Sequence, residues 1–110
     1  MLYIPGALTP TEVAAALDAG SPIVKLFPAR AVGAVYVRDL LGPFPGAKLL
    51  PTGGIDAANA REYLEAGAVA VALGSSLINA ATIADPTRLA ALAGQARAAI
   101  PTSTTTTEAT

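Results

Sequence analysis

The 110-residue chain contains two lysines, and they occupy contrasting surroundings. Lys48 opens an apolar run after Pro45 and Gly46, whereas Lys25 is enclosed by Ile23, Val24, Leu26 and Phe27. An ammonium inside an apolar strand is costly unless it is paired or loses its proton, and desolvation lowers a lysine pKa from about 10.4. At that unperturbed value well under ~0.1% of the side chain is neutral at pH 7, so each unit of depression raises the reactive fraction roughly tenfold. Lys25 is therefore a candidate nucleophile toward a carbonyl carbon. The competing structural reading is that strand alternation turns Lys25 outward, where it snorkels or pairs with a carboxylate.

Two small-residue turns, Thr52-Gly53-Gly54 and Gly74-Ser75-Ser76, each follow an apolar run and precede a helical pattern. Glycine lets the backbone approach an anion, several N–H groups converge on its oxygens, and a following helix dipole adds to the attraction, so the pair are candidate phosphate cradles. Gly-Gly and Gly-Ser also mark ordinary turns, and that reading stays open. The acidic residues suggest no general base. Asp56 and Asp85 read as helix caps, and Asp18, Asp39, Glu62 and Glu65 as solvated helix surface. With no cysteine and no histidine, thiol nucleophiles, imidazole bases, disulfides and nearly every transition-metal site are excluded.

The elements that must position these residues form a strand-helix rhythm repeated four times. The first strand is expected at Leu2 to Pro5, before a helix capped by Thr9, with Pro10 at its first position and Glu12 closing a capping box, ending near Gly20. The second is Pro22 to Phe27, interrupted by Pro28 and followed by a helix over Gly33 to Leu41 that Gly42 and Pro43 stop. The third is Lys48 to Pro51, with Asp56 expected to cap a helix reaching Glu65 and Gly67 ending it. The fourth is Ala68 to Leu73, then a short helical turn, then a helix opened by Asp85 and Pro86 that runs to about Ala99.

This alternation predicts an α/β fold with parallel strands and right-handed crossovers, and with all strand-to-helix loops on one edge, where ligands bind. Four units are half of an eight-unit barrel, leaving edge strands and one sheet face to be covered. The first residues read as a strand end, as though an upstream part were absent. A single domain is expected over residues 1–101, with the Thr-rich stretch 102–110 disordered. Seven basic and eight acidic residues, scattered, give no electrostatic footprint for nucleic acid or anionic lipid. Without a membrane-length apolar run or a signal-like N-terminus, a cytoplasmic location is expected.

The runs Ile23-Val24-Lys25-Leu26-Phe27-Pro28-Ala29, Leu41-Gly42-Pro43-Phe44 and Pro51-Thr52-Gly53-Gly54-Ile55 resemble the 2-keto-3-deoxy-6-phosphogluconate and 4-hydroxy-2-oxoglutarate aldolase family. The likeness begins at Ile4-Pro5-Gly6 and Thr9 to Glu12, continues through Asn59 and the Gly74-Ser75 turn, and covers nearly everything before the Thr-rich stretch. It implies a partial (β/α)8 barrel in a usually trimeric enzyme, with Lys25 forming a Schiff base on a keto carbon. Phe27 would line the pyruvyl pocket with Thr52 nearby, and Gly53, Gly54 and Ser75 would hold the substrate phosphate. The implied reaction cleaves a 2-keto-3-deoxy-6-phospho sugar acid to pyruvate and glyceraldehyde 3-phosphate, with no metal or organic cofactor.

Family members are about twice this length, and the resemblance assigns their catalytic glutamate and their carboxylate-binding arginine and threonine to an N-terminal half. It also marks two departures. Leu73 stands where a glycine often precedes Gly74, and Arg30 stands where a glutamate is common, which implies a subgroup with another sugar acid such as the galactonate isomer. Two further readings accompany the lyase: a non-catalytic half-barrel that self-associates through its edges and apolar face, and a module binding a phosphorylated ligand in which Lys25 only balances charge.

Overall fold

The computed structural model describes residues 1–101; the expected disorder of the Thr-rich stretch concerns residues outside that range. Strands β1 (Gly6–Ala7), β2 (Val24–Leu26) and β3 (Leu49–Pro51) form a parallel sheet in the order β1-β2-β3. The register pairs Gly6 and Leu50 with Lys25, and Leu49 with Val24. Five helices accompany the strands among the described residues: α1 (Pro10–Asp18), α2 (Ala34–Leu41), α3 (Ala60–Glu65), α4 (Ala80–Ile83) and α5 (Pro86–Ala99). A 3-10 turn spans Ala29–Ala31.

Local chemistry starts α1 where the sequence reading puts it. The Thr9 hydroxyl accepts from the Glu12 N–H at 3.3 Å while the Glu12 carboxylate accepts from the Thr9 N–H at 2.9 Å, and Pro10 fills the first position. The box satisfies two N–H groups that the first helical turn leaves without partners, and such caps contribute typically ~1 kcal/mol. Asp85 caps α5 in the simpler way, accepting from Arg88 N–H at 3.1 Å.

One face of the sheet is covered by helices. Val24, Leu26 and Leu49 are fully buried with Val13 of α1, Val37 and Leu40 of α2, and Ile55. Removing each of the larger side chains from water contributes on the order of 1.5–3 kcal/mol. The opposite face carries Gly6, Lys25 and Leu50, none of them buried. The two-residue period of a strand thus divides β2 into a core face and a face available for chemistry.

Three expectations are corrected. Pairing with β2 begins at the Pro5 carbonyl, which accepts from Lys25 N–H, so β1 is Gly6–Ala7 and not Leu2–Pro5; Leu2 and Tyr3 are exposed. Strand limits follow the ladder with a distant neighbour, and the apolar run alone does not set them.

The expected strand Ala68 to Leu73 makes only a single bridge, Thr52 with Ala72. The carbonyls of Leu49 and Pro51, two residues apart, accept from the N–H groups of Val69 and Ala72, three apart. One extra residue on that side breaks the regular ladder, as in a bulge.

Finally, α3 starts at Ala60 and not beside Asp56. The Asp56 carboxylate accepts from Ala58 and Asn59 N–H, and the Asn59 side chain accepts from Asp56 N–H. These bonds hold a separate turn before the helix.

Candidate active site

Lys25 projects from the uncovered face of β2 and is half-buried. Its Nζ lies 5.0 Å from the centre of the Phe27 ring, two residues on along the same face, within the range where a ring attracts an ammonium. Gly6, Ala7, Leu8, Glu12, Lys25 and Phe27 line a cavity of about 210 Å³. The absence of a side chain at Gly6, directly beside Lys25 in the register, keeps the amine's side of the sheet open.

Glu12 shares this cavity but is poorly suited to moving protons. Its Oε1 accepts from Thr9 N–H, Leu8 N–H and the Thr9 hydroxyl. These bonds, those from Thr9 and Leu8 N–H foremost, hold the carboxyl below its ordinary value, so it remains ionised at neutral pH.

A second cavity, of about 280 Å³, also borders Phe27, lined by that residue, Arg30, Thr52 and the Gly53–Gly54 and Gly74–Ser76 turns. The structure therefore brings all seven residues singled out from the sequence around two adjoining cavities with Phe27 as their shared wall. Gly53 and Gly54 have φ of +96° and +78°, conformations that favour glycine. Their carbonyls are engaged: Arg30 N–H donates to Gly53 O at 3.0 Å, and the Asn59 amide donates to Gly54 O at 2.8 Å. The backbone N–H groups of Gly53, Gly54, Gly74, Ser75 and Ser76 have no intramolecular acceptor among the described residues. Five such donors at one cavity suit an anion with several oxygens.

The hydroxyls divide by duty. Thr52 donates to Ala72 O at 3.3 Å and ties β3 to the next segment, and Ser76 donates to Ile55 O and ties the two turns together. The Ser75 hydroxyl makes no hydrogen bond within the described residues.

Four residues that sequence reasoning gave no role of their own in the site help to shape it. Asn59 fixes the Gly54 carbonyl and Asp56 N–H, and Ser76 joins the turns. Tyr63, buried in α3, donates to the Ala29 carbonyl at 3.3 Å, behind the loop that follows Phe27. Burial, and after it the Glu62 charge, raise the Tyr63 phenol above its ordinary value, so it stays a neutral donor. Arg30 was noticed only as a departure from a family pattern; here it lines the second cavity. The Asp56-to-Asn59 spacing was the one available signal among these, since reciprocal side-chain bonds three residues apart are a known turn device.

A family model described as "KDPG and KHG aldolase" matches residues 1–92. The 2-dehydro-3-deoxy-phosphogluconate aldolase of Dickeya dadantii is 39% identical over 96 residues, covering 84% of this chain and 45% of that protein. The 2-dehydro-3-deoxy-6-phosphogalactonate aldolase of Escherichia coli is 35% identical over 81 residues, 73% of this chain and 40% of its own length. The chain thus spans less than half the length of these curated relatives. Among solved structures, the 2-keto-3-deoxy-6-phosphogluconate aldolase of Zymomonas mobilis with 3-phosphoglycerate superposes with a TM-score of 0.79 at 28% identity, covering 93% of this chain and 49% of that one. The match of the family model over more than four-fifths of the sequence, with the fold agreeing, makes this chain a member of the KDPG and KHG aldolase family.

Proposed function

We propose that the chain contributes part of a (β/α)8 barrel, with the segment after α3 joined to β3 through the Thr52–Ala72 bridge, and that it carries the imine-forming lysine and the phosphate cradle of a Schiff-base aldolase. The observation that supports this most is Lys25 facing one cavity beside Phe27 while the Gly53–Gly54 and Gly74–Ser75 turns face the adjoining one. A ligand with a keto group at one end and a phosphate at the other would lie across Phe27, and the substrate class is a 2-keto-3-deoxy-6-phospho sugar acid.

In this reading the neutral Lys25 amine adds to the keto carbon and water leaves, forming an imine that is protonated on nitrogen. The electrons of the bond between C3 and C4 flow into this sink as the C4 hydroxyl gives up its proton, releasing an aldehyde and leaving an enamine. Protonation at C3 and hydrolysis then release pyruvate and restore the amine. The resemblance implies that the proton acceptor is the glutamate that family members carry in their N-terminal half; Glu12, committed to its capping box, is a poor substitute for it. Without such a group, catalysis is expected to fall by ~10²- to 10⁴-fold, whereas imine formation can persist.

The test is borohydride reduction of the purified chain with pyruvate, followed by intact mass and peptide mapping. An adduct on Lys25, absent in Lys25→Ala, is the expected result. No adduct under conditions where a longer relative reacts would reduce the lyase reading to shared ancestry.

A second reading, a self-associating half-barrel, draws support from the uncovered sheet face and from exposed Tyr3, Phe27 and Val69. A tight homo-oligomer together with no adduct would favour it. Among the described residues no helix is long and apolar enough to cross a membrane.

A further inference from the structure

The second cavity has a polarity that its glycines and hydroxyls do not explain. Arg30 is the one charged residue that lines it. Among the described residues the ion pair is Arg61 with Glu65, on the exposed surface of α3, and Arg30 has no carboxylate partner within them. The nearest acidic residue in sequence to either turn, Asp56, spends Oδ1 on the N–H groups of Ala58 and Asn59 and lines a different cavity, with Leu73, Leu77 and Leu92.

The backbone at Arg30 is anchored as well. Ala29 N–H donates to Thr52 O at 2.8 Å and Arg30 N–H to Gly53 O at 3.0 Å, which fixes the residue against the Thr52–Gly54 turn. Its stem lies flat on Gly54. A Cβ added at Gly54 would come within 2.6 Å of Arg30 Cβ, 2.8 Å of Cδ and 3.1 Å of Cγ. Gly54 therefore serves two ends: it permits the backbone of the turn, and its missing side chain is the shelf over which Arg30 reaches the cavity rim.

From this arrangement we propose that Arg30 is a specificity-determining residue, whose guanidinium makes the second cavity select a dianionic phosphoryl terminus over a neutral hydroxyl one. The inference rests on the phosphate reading of that cavity given above. Neutral N–H and hydroxyl donors bind either terminus, whereas a guanidinium at the rim adds attraction that grows with ligand charge and presents paired donors to phosphate oxygens. Because Arg30 is exposed, its contribution is screened by salt.

The experiment is a titration of the whole chain with inorganic phosphate, read from the amide resonances of Gly53, Gly54, Gly74 and Ser75. Arg30→Gln is the first variant, since glutamine keeps the three stem carbons that touch Gly54 and removes the charge. Saturable shifts are expected in the parent, with about tenfold weaker binding in Arg30→Gln, partial recovery in Arg30→Lys and weaker binding still in Arg30→Glu. Rising salt should erode the difference between the parent and Arg30→Gln. Equal phosphate affinity in the parent and Arg30→Gln overturns the proposal, as does a parent whose glycine amides do not respond. Trapping of pyruvate on Lys25 is measured separately on the parent. An adduct with Arg30-independent phosphate binding overturns this inference and spares the aldolase reading; Arg30-dependent binding without an adduct does the reverse.

Discussion

The two turns that border the second cavity differ in what holds them. After β3, both glycines adopt positive φ, their carbonyls are taken by Arg30 N–H and the Asn59 amide, and side chains crowd them: the Phe27 ring stands 3.1 Å from where a Gly53 Cβ would be, and Arg30 2.6 Å from one at Gly54. In the turn at 74–76, Gly74 lacks a positive φ, and a Cβ there would meet nothing within 4 Å. The fold itself demands the glycines of the first turn. At Gly74 it demands nothing, which leaves the small residue there free to serve the proposed phosphate site whose cavity it lines.

The largest effect that would test this contrast is at Gly54. Alanine there carries the cost of a left-handed backbone, on the order of 1–3 kcal/mol, and must also displace the Arg30 stem. Gly54→Ala is expected to be destabilised by at least that amount in urea unfolding, and to lose phosphate binding as Arg30 is pushed from the rim. A stability equal to the parent's would show that the first turn is as loosely specified as the second.

The next effect concerns the bond that joins the turns. Ser76→Ala removes the donor to the Ile55 carbonyl and is expected to cost ~0.5–1.5 kcal/mol in unfolding, with phosphate affinity changed little. Ser75→Ala should behave in the opposite manner, since its hydroxyl has no partner within the described residues: unchanged stability and weaker phosphate binding. If the two serines gave the same profile in both measurements, the separation into a structural and a ligand-facing hydroxyl would fail.

The same pair shows what the sequence could reveal. Ser75 and Ser76 are chemically identical neighbours, and only the contact with Ile55, 21 residues away in the chain, tells them apart. The capping box of α1 was legible because Thr9, Pro10 and Glu12 act on one another within a single turn. The division of β2 was legible only in the competing reading, in which alternation turns Lys25 away from Val24 and Leu26; the expectation that the apolar strand encloses Lys25 missed the face on which it stands. Features set by distant partners were not legible. The start of β1 depends on Lys25 N–H finding the Pro5 carbonyl, and the failed fourth strand depends on amides three apart meeting carbonyls two apart. Arg30 resembles any solvated arginine until the turn after β3 folds against it.

The smallest expected effect is the most discriminating. With no positive φ and no neighbour within 4 Å of the added methyl, Gly74→Ala has no native-state cost to meet, and it restricts the unfolded chain. Substitutions of this kind leave stability unchanged or raise it by about 0.4–1 kcal/mol. Gly74 nevertheless lines the cavity, so the methyl occupies space that a phosphate and its donors would use. The expectation is a parent-like or slightly higher urea midpoint together with weaker phosphate binding. Such a result separates room kept for a ligand from room needed by the fold. A loss of stability above ~1 kcal/mol would instead mean that this turn, like the first, is held by the protein's own packing.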